Sequence, residues 1–345
     1  MYEVMNVFPS DKLFVRKENL HSIYLETNIA ASDREKTLIE FRNIISKLES
    51  EGSPETVIKA LKELEVNAQF WQNSSRSIGI FADGESLLVY KMNASTPTMH
   101  YVGENYYVLP LIHYYQSKEN FLILALAKDQ YNLYWGHESS VDQLELHEFE
   151  DIDPVIASLS GAKNTNIETE GVKTFFREVD DKVRRISRDY GVDVLVVALP
   201  ENYSLFKEVS RTNNLVDKPI LKSMTSIDNE SIKDEIGKIM KSYRNDFVEK
   251  TLDNYHSLVG KTEASDVLDE IVKAIMDHRV STLLIDRSAQ LEGSIDEDFN
   301  ITHTSGRRDL LNLVGLKCLE RDINVVVLET QEMPSDKGIA AIYSY

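Results

Sequence analysis

Apolar positions in the middle of the chain predict a long amphipathic helix followed by a buried strand. Between residues 172 and 190, apolar side chains recur at the spacing of one helix face. The opposite face is predicted to carry acid–base pairs four residues apart: Glu178 with Lys182, Asp180 with Arg184 and Asp181 with Arg185. Residues 192–199 are nearly all apolar and precede Pro200, as expected for a strand covered on both faces. Leu159 to Gly171 are polar, so we predict a loop on a rigid base, where binding is often located. A connection without function is the alternative.

The first part of the chain alternates strand and helix patterns, which predicts an α+β N-terminal domain over residues 1–116. Strands or extended segments are expected at residues 20–25, 78–81, 87–90 and 101–109. Helices are expected at residues 36–48 and 54–64. Asp83-Gly84, between the second and third strands, is a hairpin-turn signal.

Residues 117–224 predict a mixed sheet backed by helices, because consecutive strand patterns precede the long helix and the buried strand. Those strands are expected at residues 120–127, 131–135 and 141–147, and a short helix at 203–209. Polar residues 223–230 mark a boundary. Residues 225–345 predict an α/β/α domain, with helices at 232–252, 267–275 and 309–319 and strands at 280–285, 323–328 and 339–345. Thr304 and Ser305 are expected to cap the last helix. The predicted class is multi-domain α/β.

Composition narrows the classes of partner. The chain has 38 Lys and Arg against 57 Asp and Glu, a formal net charge of −19. This charge opposes sequence-independent binding to nucleic acid, which depends on neutralising phosphates, but it allows a shaped contact with RNA through one basic surface. We expect no DNA partner and no membrane partner, since no apolar run reaches membrane-spanning length. A cytoplasmic location is expected, because we recognise no signal peptide and a single cysteine, Cys318, allows no internal disulfide.

Motifs for common chemistries are missing or incomplete. The sequence has no dinucleotide-binding, zinc-protease or nucleophile-elbow motif. Residues 260–262, Gly-Lys-Thr, resemble the end of a phosphate-binding loop, but Tyr255 stands where that motif needs glycine. His147 and Glu148 are neighbours at a strand end and lack the converging ligands of a metal site. We therefore predict no metal and no cofactor.

Two stretches rich in aromatic residues lie around the first predicted domain junction. They contain Tyr106, Tyr107, Tyr114, Tyr115, Tyr131, Tyr134 and Trp135. Exposed rings would offer a stacking platform for bases. Burial in a core is the interpretation that we favour, because strand alternation already accounts for several of them.

Five segments resemble the bacterial relatives of the archaeal and eukaryotic class-one peptide release factor and of Pelota. In chain order they are HSIYLETN, FWQNSSRSIGIFADGESLLVYKM, VLPLIHYYQSKENFLILALAKDQYNLYWG, VKTFFREVD and VVVLETQEMPSDKGIAAIYSY. The resemblance extends over most of the chain, and the last of the five segments is the most specific for this family. The resemblance implies a ribonuclease H-like central domain, a last domain like the small α/β/α ribosomal proteins that bind kinked RNA, and a role at the ribosome.

The resemblance also implies where the chemistry of the release factors would lie. In those factors a loop before the long helix carries Gly-Gly-Gln, which orients water on the peptidyl-tRNA ester. The corresponding loop, Leu159 to Gly171, contains no Gly-Gly-Gln and no Gln. Asn164 and Asn166 are the nearest substitutes and the candidates for a catalytic role. The candidate RNA- or ribosome-binding residues are Gly161, Lys163, Lys173, Arg177, Arg184, Arg185 and Arg188.

We therefore expect a ribosome-associated factor that enters the tRNA site, contacts rRNA, and acts in ribosome rescue, recycling or dormancy without Gly-Gly-Gln-dependent peptide release. One alternative is an enzyme, a peptidyl-tRNA hydrolase that uses Asn164 or Asn166. Another is an acidic interaction module that no longer binds RNA and works through a protein partner, with the C-terminal domain as the expected contact. For the bases on the long helix, the alternative to an RNA-facing surface is that they merely pair with the acids four residues earlier.

Overall fold

The chain is a mixed α/β protein with several sheets, as the sequence predicts. The computed structural model describes residues 2–5, 7–27, 34–72, 75–137, 140–143, 165–296, 300–302 and 309–344, with the backbone alone at 140, 142, 143 and 165–168. The chain divides into two compact units, Met1–Ser117 with Lys250–Tyr345, and Lys118–Glu249. The division into three domains stays a prediction.

A five-stranded sheet forms the N-terminal part of the first unit. Its order is β1-β4-β3-β2-β5, with β1 at Glu3–Val4, β2 at Leu20–Glu26, β3 at Ser77–Ala82, β4 at Leu87–Met92 and β5 at Met99–Gly103. One face shares an apolar core with α1 (Arg34–Ser50), α2 (Glu55–Glu65) and α3 (Ala68–Gln72). The hairpin turn predicted between β3 and β4 is present, because Asp83 Oδ1 accepts hydrogen bonds from the backbone N–H groups of Glu85 and Ser86 at 3.0 and 2.7 Å.

The segment after β5 differs from the prediction. Residues 101–109 were expected to be extended, but the strand ends at Gly103 and helix α4 covers Leu109–Gln116. A proline near the first position suits a helix start, and helical spacing buries most of the apolar side chains of α4. Tyr106, Tyr114 and Tyr115 are buried, so these rings are core residues and offer no exposed platform for bases.

A four-stranded sheet forms the C-terminal part of the same unit. Its order is β10-β15-β11-β14, with β10 at Ala264–Ser265, β11 at Val280–Asp286, β14 at Asn324–Leu328 and β15 at Ile339–Tyr343. Helices α8 (Leu268–Met276) and α9 (Leu310–Glu320) and a short hairpin, β12 (Ser294–Ile295) with β13 (Ile301–Thr302), complete it. Asp309 caps α9, because its Oδ1 accepts from the N–H of Leu311 at 2.9 Å. Thr304 and Ser305, the predicted caps, lie outside the described residues.

Asn312 joins the two parts of the first unit. Its Oδ1 accepts from the N–H groups of Val108 and Leu109 at 2.7 and 3.1 Å, and its Nδ2 donates to the carbonyl of Tyr106 at 3.0 Å. Asn312 is buried, so these bonds face little competition from water. One side chain of α9 thereby satisfies three backbone groups at the start of α4.

The second unit contains the predicted mixed sheet. Its order is β8-β7-β6-β9, with β6 at Asn120–Leu126, β7 at Tyr131–His137, β8 at Ser140–Gln143 and β9 at Asp193–Ala198. β9 is parallel to β6, and the other pairs are antiparallel. α5 (Thr165–Tyr190) and α6 (Pro200–Val209) pack on one face, and the start of α7 (Glu230–Val259) packs on the other.

Two predictions about this unit need comment. The strand predicted at residues 141–147 is described only as far as Gln143, and residues 144–147 lie outside the described part. The polar boundary at residues 223–230 contains a 3₁₀ turn, Met224–Asp228. Met224 and Ile227 are buried in the same apolar cluster as residues of strands β6 and β9. They shield the apolar side chains on this face of the sheet from water.

Candidate nucleic-acid interface

Helix α5 begins earlier than predicted. It starts at Thr165, so the expectation of a loop from Leu159 to Gly171 was wrong from Thr165 onward. A glycine inside a helix costs only about 1 kcal/mol relative to alanine, too little to end a helix whose next turns are held in a core. Gly161, Lys163 and Asn164 lie outside the described residues, and Asn166 is described only as backbone in the first turn of α5.

Four bases line one face of α5: Lys173, Arg177, Arg184 and Arg188. At about 100° of rotation per residue they fall within roughly 60° around the helix axis. The three arginines are exposed and Lys173 is half-buried. We call this set the basic face. Arg185 is also exposed and lies roughly 60° further round the helix.

The basic face keeps most of its charge accessible. Arg184 donates to Asp181 at 2.6 Å and Arg188 to Asp189 at 2.9 Å, and these pairs are exposed. Exposed pairs contribute less than about 1 kcal/mol, so a phosphate can displace the acid. Arg177 is exposed and has no hydrogen-bond or ion-pair partner in the described part of the chain. Lys173 is less available to a ligand than the arginines, because its Nζ forms an ion pair with Glu208 of α6 at 2.6 Å.

Asp180 does not pair with Arg184, which corrects the predicted pattern of acids and bases. Its side chain is buried at 2% exposure. Its Oδ1 accepts from the hydroxyls of Ser210 and Thr212 at 2.5 and 2.7 Å, and its Oδ2 accepts from the N–H of Arg211 at 2.8 Å. This carboxylate therefore fixes the end of α6 against α5, beside the edge of the basic face that Lys173 forms.

Lys182, which was predicted to pair with Glu178, contacts strand β7. Its Nζ donates to the hydroxyl of Tyr131, on strand β7, at 3.1 Å. The ammonium lies 5.8 Å from the centre of the same ring, within the range of a cation–π contact. This lysine joins the helix to the sheet and is therefore not available to a ligand of the basic face.

The other candidate sites give little support for chemistry. Among the described residues, no group of three or more His, Cys, Asp or Glu is placed to hold a metal ion. His147 and Glu148 lie outside the described residues. Cys318 is buried, and burial raises the pKa of its thiol to about 12, so it is not a reactive thiolate. No helix within the described ranges is both long and apolar enough to cross a membrane.

Comparison with protein families identifies the central segment. Residues 120–279 match the family described as bacterial archaeo-eukaryotic release factor family 3. The matched segment contains strands β6 to β9 and the whole of α5, including the basic face. For this segment, the resemblance inferred from the sequence is thereby confirmed. No curated protein matches the chain.

Solved structures of translation factors match this chain at low sequence identity and low TM-score. The archaeal translation termination factor aRF1 is 14% identical, with 96% of this chain and 95% of that chain covered and a TM-score of 0.30. Saccharomyces cerevisiae Dom34, a translation termination-like factor involved in RNA quality control pathways and interacting with Hbs1, is 13% identical, with coverages of 78% and 79% and a TM-score of 0.44. Archaeal Pelota, from a model of ribosome-bound Pelota and ABCE1, is 14% identical, with coverages of 78% and 77% and a TM-score of 0.40. With scores below 0.5, these likenesses carry no argument about function.

Proposed function

From the match of residues 120–279 to bacterial archaeo-eukaryotic release factor family 3, we propose that this chain binds the ribosome and acts in rescue, recycling or dormancy without Gly-Gly-Gln-dependent peptide release. The family match is the observation that carries the proposal. The sequence of residues 159–171 supports the second half of it, because the loop contains neither Gly-Gly-Gln nor any glutamine to orient water, and its asparagines are shorter by one methylene.

The basic face supplies the contact with RNA. An acidic chain with net charge −19 is repelled by phosphates over most of its surface, so it needs a local region of positive charge. Arg177, Arg184 and Arg188 provide one, with guanidinium groups that suit bidentate contacts to phosphate. The four bases span roughly 22 Å along the helix axis, which suits the repeated phosphates of an RNA backbone better than a single small anion.

Charge reversal tests this contact. We expect wild-type protein to co-sediment with ribosomes in sucrose gradients under starvation, and the triple variant R177E/R184E/R188E to move to the soluble fractions. The reason is loss of the phosphate contacts and repulsion by three new carboxylates. Binding of wild-type protein should weaken as salt rises, with a slope that is smaller for single substitutions.

A second triple variant distinguishes the effect of losing the basic face from the effect of changing the net charge. K218E/K238E/K241E changes the charge by the same amount at exposed positions of the same unit, and we expect it to stay with the ribosomes. Equal loss in both variants would remove the basic face from the proposal. Absence of wild-type protein from ribosomal fractions in growth and in starvation would overturn the proposal itself and favour an acidic interaction module.

Peptide release is tested separately. Purified wild-type protein added to stalled ribosomes that carry labelled peptidyl-tRNA should release no peptide above the rate without protein. Release that disappears in N164A/N166A would instead support the peptidyl-tRNA hydrolase. Release that survives this double substitution would remove both asparagines from the mechanism and still contradict the proposed absence of hydrolysis.

A further inference from the structure

A cavity of about 270 Å³ lies in the first unit, between the segment after β1, the end of β5 and helix α9. Its size is slightly below the range of roughly 300–1,000 Å³ in which drug-sized ligands bind. It therefore suits a single side chain or a small molecule and is too small for a nucleotide. Neither the basic face nor the family match involves this cavity.

Acidic groups dominate the charge of the lining. Two bases are already engaged at the rim: Arg16 Nη2 lies 3.2 Å from Glu104 Oε2, and Lys317 Nζ lies 2.8 Å from Glu320 Oε2. Asp309 also lines the cavity, and no lysine or arginine in the described residues pairs with it. An anionic ligand would meet a net negative wall, so phosphates and carboxylates are excluded as ligands.

Asp309 is an acceptor held in place from the protein side. Its Oδ1 accepts from the N–H of Leu311 at 2.9 Å, and its Oδ2 accepts from the hydroxyl of Tyr107 at 3.2 Å. Burial has the largest effect on the pKa of this carboxyl and raises it, while hydrogen bonds from Tyr107 and from backbone groups of residues 291, 311 and 312 act in the opposite direction.

Part of the remaining lining is apolar and aromatic, beside the polar residues Asn105, Asp296 and Asn312. Leu13, Leu313 and Leu316 contribute to the wall, and the ring of Tyr101 lies 5.4 Å from that of Tyr107, centre to centre. Among the described residues, this places an aromatic face beside a carboxylate that forms no ion pair, and such a pair attracts a cation through both its charge and its π surface. The leucines suit a short aliphatic stem.

We propose that this cavity binds an organic cation, a guanidinium or ammonium group on a short aliphatic stem, with the charge at Asp309 and the stem against Leu313 and Leu316. Two sources supply this chemistry: the side chain of an arginine or lysine in a basic polypeptide, and a free polyamine. The site is independent of ribosome binding, so its test uses the isolated full-length protein.

Isothermal titration calorimetry with three probes tests the proposal. The probes are agmatine, spermidine and the blocked peptide acetyl-Gly-Arg-Gly-amide, and the neutral reference is the same peptide with citrulline in place of arginine. We expect saturable binding of at least one cationic probe and at least tenfold weaker binding of the citrulline peptide. Tighter binding of the arginine peptide than of the amines identifies a polypeptide source, and the reverse order identifies a free amine.

Two variants localise the binding. Asp309→Asn keeps a side chain that caps helices well, so α9 is retained while the charge is lost. Leu313→Phe fills the cavity from a half-buried position. Each should weaken binding at least tenfold, whereas Asp269→Asn, which removes an exposed charge of the same unit, should leave it unchanged. No saturable binding of any cation, or equal loss in Asp269→Asn, would overturn the proposal. Urea unfolding of each variant checks that the fold is kept.

Discussion

Asp180 and Asp181 are neighbours on α5 and lie in different surroundings. Asp180 is buried and accepts three hydrogen bonds from residues 210–212, whereas Asp181 forms an exposed pair with Arg184. The sequence could not separate the two, because both acids precede an arginine by four residues. Their difference comes from a loop thirty residues further along the chain, which only the folded structure brings to Asp180.

Replacing each of these acids by alanine should therefore give different losses of stability. Asp180→Ala leaves three donors without a partner, so we expect the free energy of unfolding to fall by about 3 kcal/mol. Asp181→Ala should lower it by less than about 0.5 kcal/mol, since exposed pairs contribute little. Urea unfolding at neutral pH measures both. Equal losses in the two variants would contradict the role given to Asp180.

His21 provides a prediction of pH dependence. Burial, with a smaller contribution from nearby His100, lowers the pKa of His21 from 6.5 to about 4, and neither ring nitrogen has a hydrogen-bond partner in the described part of the chain. Between these two pH values the unfolded state binds the proton and the folded state does not, so stability falls as pH falls from about 6.5 towards 4. Between pH 7 and pH 5 this histidine should contribute about 2 kcal/mol of that loss.

Two histidine variants isolate this effect from the other titrating groups. His21→Leu should show a loss of unfolding free energy between pH 7 and pH 5 that is smaller than that of the wild type by about 2 kcal/mol. His256→Leu, at an exposed position of α7, should keep the dependence of the wild type. An unchanged loss in His21→Leu would show that His21 titrates normally in the folded protein.

At the scale of elements, apolar periodicity predicts most of the helices and strands, because an element with one buried face has apolar residues at a regular spacing. The mixed sheet and the helices α1, α2 and α7 are examples. The start of α5 and the change from strand to helix between Gly103 and Leu109 were missed. Polar residues and Gly171 favour a loop locally before α5, and the apolar and tyrosine residues after Gly103 favour an extended segment. In both places packing against other elements decides the outcome.

The pairing of β6 with β7 gives a prediction at this scale. Gly136 lies opposite Phe121 in the register, and a Cβ atom at Gly136 would overlap the phenyl ring. Phe121 is fully buried, so the ring cannot move into solvent. We expect Gly136→Ala to lower the free energy of unfolding by about 2 kcal/mol, as overpacking in a core does.

The smaller side chain of Phe121→Leu should relieve that overlap. In a double-mutant cycle, the cost of Gly136→Ala should be smaller by at least about 1 kcal/mol in the Phe121→Leu background than in the wild type. Gly260→Ala is the control, because no atom lies within 4 Å of the added Cβ, and it should change stability by less than about 0.5 kcal/mol. Additive effects of the two substitutions would contradict the proposed contact.

At the scale of the whole molecule, the sequence suggested three domains in chain order, whereas the contacts group the two ends of the chain into one unit. Asn312 and Val108 are separated by 204 residues. Apolar periodicity cannot predict such a pairing, because it shows that one face of an element is buried but not which other element covers it.

Asn312→Ala leaves three buried backbone groups without a hydrogen-bond partner, and we expect the free energy of unfolding of the first unit to fall by about 3 kcal/mol. The exposed Asn324→Ala should have little effect.

Two fragments distinguish the two units from three domains in chain order. Fragment 118–249 carries its own sheet with apolar clusters on both faces, so we expect it to unfold cooperatively in urea by circular dichroism. Fragment 1–117 lacks Asn312 and the other residues of α9 that complete the start of α4, so it should unfold at lower urea concentration and with a broader transition than the first unit does in the full-length chain. Adding the separately produced fragment 250–345 should sharpen that transition, since the buried backbone groups of residues 106–109 then regain their partner. If fragment 1–117 is as stable alone as it is within the full chain, the result would instead favour three independent domains. Asn312 would then form a contact between two domains that each fold without the other.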